Sequence, residues 1–233
     1  MSDLQSLSAL LQRLEDDPTH TVIRGSLTDD QSSPVPRNKE TFIATPRQWC
    51  MIDIDSLAWD GDLSDQQAML SYAIQQLPAE FRSVDCWYHL SSSMGIKAGI
   101  NVHLWFWLER TCSDNELKMW LSGCSVDLRL FNPIQIYLTA NPQFSDGAVD
   151  LYPSRSGLFK AGTGVSTVTV PSDLAFRSAV ASKSSKQRTR GTSGLLDPAG
   201  IERDPDTGLA IDGREQLMFL LSNQVMQELV TLE

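Results

Sequence analysis

Residues 99–108, G-I-N-V-H-L-W-F-W-L, are apolar at nearly every position and rich in β-branched and aromatic side chains. A strand of this kind needs cover on both faces, so it belongs in the middle of a sheet. Side chains alternate along a strand, which places Asn101 and His103 on one face, ahead of Trp105 and Trp107. The two tryptophans read as sheet packing rather than as platforms for stacked bases.

Residues 49–57, W-C-M-I-D-I-D-S-L, form a second β-rich run with two carboxylates inside it. Positions i and i+2 share a face, so Asp53 and Asp55 project together while Ile52 and Ile54 point into a core. Adjacent negative charges repel and call for a countercharge, and a hard divalent cation with oxygen ligands, Mg²⁺ or Mn²⁺, supplies one. The other reading is an edge strand with two solvated aspartates, or a strand running into a turn.

The 233-residue length allows one sizeable core, or a core with a small appendage. No apolar run approaches a membrane span, and Met1-Ser2-Asp3-Leu4 lacks the basic and apolar regions of a signal peptide. The expectation is a cytoplasmic protein with no membrane partner. Cys50, Cys86, Cys112 and Cys124 lie far apart without a C-x-x-C pair, which disfavours zinc modules and fits free thiols in a reducing compartment. A net charge of −10 argues against loose, bulk-electrostatic binding of nucleic acid, though not against a local basic groove or a metal-bridged phosphate site.

In chain order, Leu4, Leu7, Leu10, Leu11 and Leu14 have helical spacing within residues 3–16. Residues 21–25 read as a short strand, followed by a polar loop; Arg24 and Arg37 read as solvated or paired surface arginines. Ser64, with Gln67 three residues on, is expected to cap a helix ending near Leu77, before Pro78. Residues 84–90 read as a strand entering the hydroxyl-rich turn 91–95, and residues 114–123 as a short helix capped by Ser113 or Asp114. Residues 126–131 and 134–138 both alternate across Asn132-Pro133 and predict a hairpin. Residues 167–171 are the last strand-like run. A basic, apolar-poor linker spans residues 177–200, and an amphipathic helix lies within 201–233, as if a further unit began there.

The order β(D-x-D), helix, strand, serine-rich turn, β(N-x-H), helix, β(V-D) resembles the catalytic core of the archaeo-eukaryotic primase superfamily, the primase-polymerases. The family's first motif is matched by Ile52-Asp53-Ile54-Asp55, its second by Asn101-Val102-His103, with Asn in place of the usual Ser, and its third by Val126-Asp127. Residues 126–142, V-D-L-R-L-F-N-P-I-Q-I-Y-L-T-A-N-P, are similar to the third-motif region in primase-polymerases of plasmids, phages and integrated elements. Residues 202–215 resemble what lies downstream of such cores, so the likeness runs over roughly residues 20–230.

The resemblance implies an α+β fold: a catalytic core over 1–176, with a mainly antiparallel, RRM-like sheet flanked by helices, then the linker and a C-terminal helical segment. It implies a DNA-templated nucleotidyltransferase, primase or DNA polymerase, of a mobile-element replication protein. Single-stranded DNA and nucleoside triphosphates would be its partners, with a helicase downstream. Two Mg²⁺ or Mn²⁺ ions would sit on Asp53, Asp55 and Asp127, clamping attacking and leaving oxygens. Asp150 competes with Asp127 for the third place, and Asp127 is preferred. His103 would hydrogen-bond the incoming phosphates, beside Asn101. Ser91, Ser92 and Ser93 suit a triphosphate tail, with Lys97, Arg155 and Lys160 as further phosphate partners. His20 and His89 are assigned no role beyond structure. The alternatives are a catalytically degenerate primase-like module for DNA binding and replication initiation, suggested by the low basicity and by Asn101, and, ranked last, a metal-dependent nuclease.

Overall fold

A computed structural model describes residues 1–28, 34–144, 149–152 and 154–179. The expected linker, beyond residue 179, and the C-terminal helix lie outside them. In chain order the elements are α1 (Leu4–Leu14), β1 (Val22–Ile23), β2 (Ser26–Leu27), β3 (Phe42–Ile43), β4 (Arg47–Leu57) and α2 (Gln66–Gln75). They continue with β5 (Cys86–Leu90), β6 (Ile100–Cys112), α3 (Asp114–Trp120), β7 (Ile136–Tyr137) and β8 (Ser156–Phe159).

The chain is α+β, built on a four-stranded antiparallel sheet in the order β4-β6-β5-β8. β6 lies inside the sheet, as its unbroken apolar character requires, and runs four residues past the expected end. Its period-two pattern divides the core. Leu104 and Phe106 join Ile52, Ile54 and α2, whose Met69, Leu70, Ala73 and Ile74 are buried on that face. Trp105 and Trp107 join Trp49, Met51 and Trp87 under Leu4, Leu7 and Leu11 of α1. Both tryptophans are therefore packing residues. Asp3 caps α1 through a reciprocal box with Ser6, and Ser113 does the same for α3 with Glu116.

Four expectations need correction. α2 is capped by Asp65, not Ser64: the Asp65 carboxylate accepts from the Ala68 amide at 3.0 Å. Residues 126–131 form no strand; Leu128–Leu130 is a 3₁₀ turn capped by Asp127. The expected hairpin is absent because β7 pairs with β1, Val22 opposite Tyr137. Gly25 allows that approach: a Cβ there would lie 2.4 Å from the Pro133 carbonyl oxygen, which accepts from the Gly25 amide at 3.1 Å. Residues 167–171 contribute one parallel bridge, Val168 to Leu108.

Arg24 is also corrected, because it is a core residue rather than a surface one. Its guanidinium, 1 % exposed, donates to Asp114 at 2.5 Å and to the carbonyls of Trp49 and Cys112 at 2.6 Å each. A buried cation needs every donor engaged, and this one joins β4, β6 and α3. Arg37 behaves as expected, pairing at the surface with the Ile134 carbonyl. Among the described residues all four cysteines are free thiols, and no helix is long and apolar enough to cross a membrane.

Candidate active site

Antiparallel register sets Asp53 opposite His103, His103 opposite His89, and His89 opposite Ser156, one polar row across all four strands. The row lies on the tryptophan face. Asp53, Asp55, His103 and His89 open into a cleft of about 480 Å³, with Ser91, Ser92, Ser93 and Lys97 along one side. A strap over residues 138–143 forms the other wall. The end of α1 anchors the strap, since the Asn141 amide donates to the Glu15 carbonyl at 2.7 Å. The Glu15 carboxylate also accepts from the Ser156 hydroxyl.

Burial first, then the charges of Asp55 and Asp127, push the Asp53 carboxyl up to about 6. Burial, with a smaller contribution from His89, pulls His103 down to about 4, and burial lowers His89 as well. At neutral pH both rings are therefore uncharged. The 3.5 Å approach of His103 Nε2 to the Asp53 carboxylate is a neutral imidazole beside an anion, not an ion pair. The rings meet edge to face with centroids 5.9 Å apart, and His89 Nε2 lies 3.2 Å from Asn141 Oδ1. Neither Nδ1 has a protein partner among the described residues. Lys97 Nζ is 3.6 Å from Asp55, but both side chains are more than half exposed, so the pairing is weak.

Asn101 does not face the cleft as a ligand. Its Oδ1 accepts from the Ser56 amide at 3.0 Å and its Nδ2 donates to the Gly99 carbonyl at 3.0 Å. Those bonds pin the irregular register between Ile54 and Leu57, where Ser56 has the unusual φ of 56°. Positive φ in a non-glycine residue persists only when its surroundings hold it, so Asn101 positions the backbone carrying Asp55.

Arg155 is likewise not available to phosphate. It is buried, paired to Asp150 at 2.7 and 2.8 Å, and donates to the carbonyls of Ser91 and Met94. It braces the serine turn, and Asp150 is its counterion. Lys160 lies outside the cleft, donating to Asp85 at 2.8 Å. Asp127 approaches through its backbone, its amide donating to the Asp53 carbonyl at 3.3 Å. Its carboxylate is gripped by Arg129 at 2.9–3.3 Å, which holds it below the usual carboxylate range.

No family model matches the chain, and no solved structure matches it. The chain is similar, at 27% identity over 194 residues, to a protein of Escherichia phage T5 named "Putative replication origin binding protein". The match covers 74% of this chain and 21% of that protein, so the chain spans about a fifth of its relative's length.

Asp53 and Asp55 fit a hard divalent cation: two oxygen donors on one face, with Asp53 raised by burial first and then by the neighbouring carboxylates. Among the described residues no set of three or more Asp, Glu, His or Cys side chains is arranged around a common point. The donor set accordingly suits Mg²⁺ or Mn²⁺, which take one or two carboxylates and complete their shell with water and phosphate oxygens. Asp127 joins only if Arg129, 83% exposed and so weakly held, lets it go.

His89 and the strap were not legible as site residues. One signal existed: W-x-H in β5 and H-x-W in β6 are mirror images, which antiparallel pairing converts into stacked rows of like residues.

Proposed function

We propose that this chain is a DNA-templated nucleotidyltransferase module, primase or primase-polymerase, of a phage or mobile-element replication protein. The observation that carries the reading is one cleft combining a D-x-D carboxylate pair, a neutral histidine and a serine turn with an adjacent lysine. Similarity to a phage protein named for replication-origin binding supports the setting. Phosphoryl transfer asks a protein mainly for position and charge stabilisation. Asp53 and Asp55 hold the divalent ion, which, when bound, would neutralise charge developing on the transferring phosphoryl group. Ser91, Ser92, Ser93 and Lys97 receive the triphosphate tail. His103, uncharged, donates an N–H without adding a cation beside Asp53. Asn101 and Arg155 act one layer back, fixing the strand irregularity and the serine turn.

Extension of a primed single-stranded template with Mn²⁺ or Mg²⁺ tests this. The Asp53→Ala/Asp55→Ala variant should lose roughly 10²–10³-fold or more of the incorporation. Equal, background-level incorporation by both proteins would refute catalysis. The second reading is a binding module without turnover, favoured by the relative's name and by the engagement of Asp127 with Arg129. Metal-independent DNA binding with no turnover under any nucleotide mix would establish it.

A further inference from the structure

A second concavity, of about 340 Å³, lies beside the start of α3 and the Asn132-Pro133 turn. It is placed at the far end of β4 and β6 from Asp53: six positions along β4 lead from Asp53 to Arg47, roughly 20 Å of strand, and Arg47 pairs with Cys112, next to the concavity's Ser113. Its lining is rich in donors. Lys39 and Lys118 have no carboxylate within ion-pair distance among the described residues, and Asn115 makes no side-chain hydrogen bond there. Asn132 uses its Oδ1 to accept from the Ile134 amide at 3.2 Å, leaving its amide nitrogen unused. Two of the carboxylates nearby are already committed, and Glu40, beside Lys39 in the chain, is exposed to solvent. Asp114, which also lines the concavity, answers Arg24, and Glu116 answers Arg110 at 2.8 Å.

The positive character extends beyond the concavity. Arg37 donates to the Ile134 carbonyl, and Arg47 to the carbonyls of Arg24 and Gly25 and to the Ser26 hydroxyl. These hydrogen-bond partners are neutral; Arg37 has no carboxylate in ion-pair distance among the described residues, and Arg47 feels the Asp114 charge that Arg24 already answers. On a chain of net charge −10, these four cations at one end form a local exception. A single phosphate would use the two lysines; a series of phosphates would use Arg37 and Arg47 as well.

We propose that this basic concavity seats the phosphodiester backbone of the single-stranded DNA on which the Asp53 cleft acts. This rests on the nucleic-acid reading above and adds to it the place where the strand is held. Backbone contacts of this kind are sequence-independent and release counterions, so they show in the salt dependence.

The test uses the full chain and a fluorescent single-stranded oligodeoxynucleotide, with anisotropy followed across a salt series. Lys39→Glu/Lys118→Glu should weaken binding about tenfold or more at low salt and flatten the salt slope by ~1.4, at 0.7 per phosphate contact. Lys39→Ala/Lys118→Ala should flatten the slope similarly with a smaller loss of affinity, and neither pair should alter ATP binding. Unchanged affinity and slope in both variants, with circular dichroism showing them folded, would overturn the proposal and leave nucleotidyl transfer standing. No oligonucleotide binding by the unmodified protein would overturn both readings. Parallel loss of ATP binding would assign the lysines to free phosphates and overturn the proposal.

Discussion

Asp53 holds its proton up to about pH 6 in the folded chain, whereas an unfolded aspartate releases it near 3.8. Between those values the native state binds more protons than the unfolded one, so stability falls as pH rises through the window and the loss is complete above about 6. Asp53→Asn removes the trapped charge while keeping the shape. Because the carboxyl is about one-quarter exposed, the variant should be more stable than the unmodified protein by roughly 1–3 kcal/mol at pH 7.5. The advantage should vanish near pH 4, as followed by urea unfolding at each pH. Mn²⁺ should raise the midpoint of the unmodified protein and not that of the variant, because only the former keeps both carboxylates for the ion. No gain at pH 7.5 would mean that Asp53 is better solvated than its burial indicates.

β8 and the serine turn are joined by Arg155, and the join is where local sequence stops being informative. Removing one member of a buried charged pair strands the other and frees the Ser91 and Met94 carbonyls. Arg155→Ala should therefore cost about 3 kcal/mol, the low end of the range because Asp150 keeps partial exposure. Arg155→Lys should recover little, since an ammonium cannot reproduce the two-pronged contact. Chemical denaturation measures both, and a cost below about 0.5 kcal/mol would return Arg155 to the phosphate partners. β4, β5 and β6 were legible because burial on two faces, or on one face and a site, leaves a period of two in the chain. The 126–131 alternation misled for a related reason: a 3₁₀ turn beside a core also alternates burial over a few residues, and the choice was made by β1 taking β7. Arg24, Arg155 and Lys160 were misplaced because their counterions, Asp114, Asp150 and Asp85, are assigned by folding rather than by neighbourhood.

At the scale of the molecule, one sheet separates two cores, and the cleft depends on both. Strand geometry alone puts Asp53 and Asp55 on one face, whereas His103 entered only through the N-x-H resemblance, and the register of β4 against β6 is what sets it opposite Asp53. That His89 completes the row follows only from the register of β5 against β6, which no local pattern fixes. The core containing Leu4, Leu7, Leu11 and four tryptophans lies on the same face as the polar row, and the end of α1 holds the strap through Glu15. Disturbing α1 should therefore reach the site without touching it. Leu7 is 2 % exposed, and truncation leaves a cavity against Trp49 and its neighbours. Leu7→Ala should lose about 2–4 kcal/mol. If the two cores form one cooperative unit, tryptophan fluorescence and far-ultraviolet circular dichroism will shift their midpoints together. Fluorescence moving alone would mean that α1 and the tryptophan face open separately from the α2 core. Nucleotide affinity should then fall at temperatures where the far-ultraviolet signal is still native, because the strap would be lost before the strands that carry Asp53 and His103.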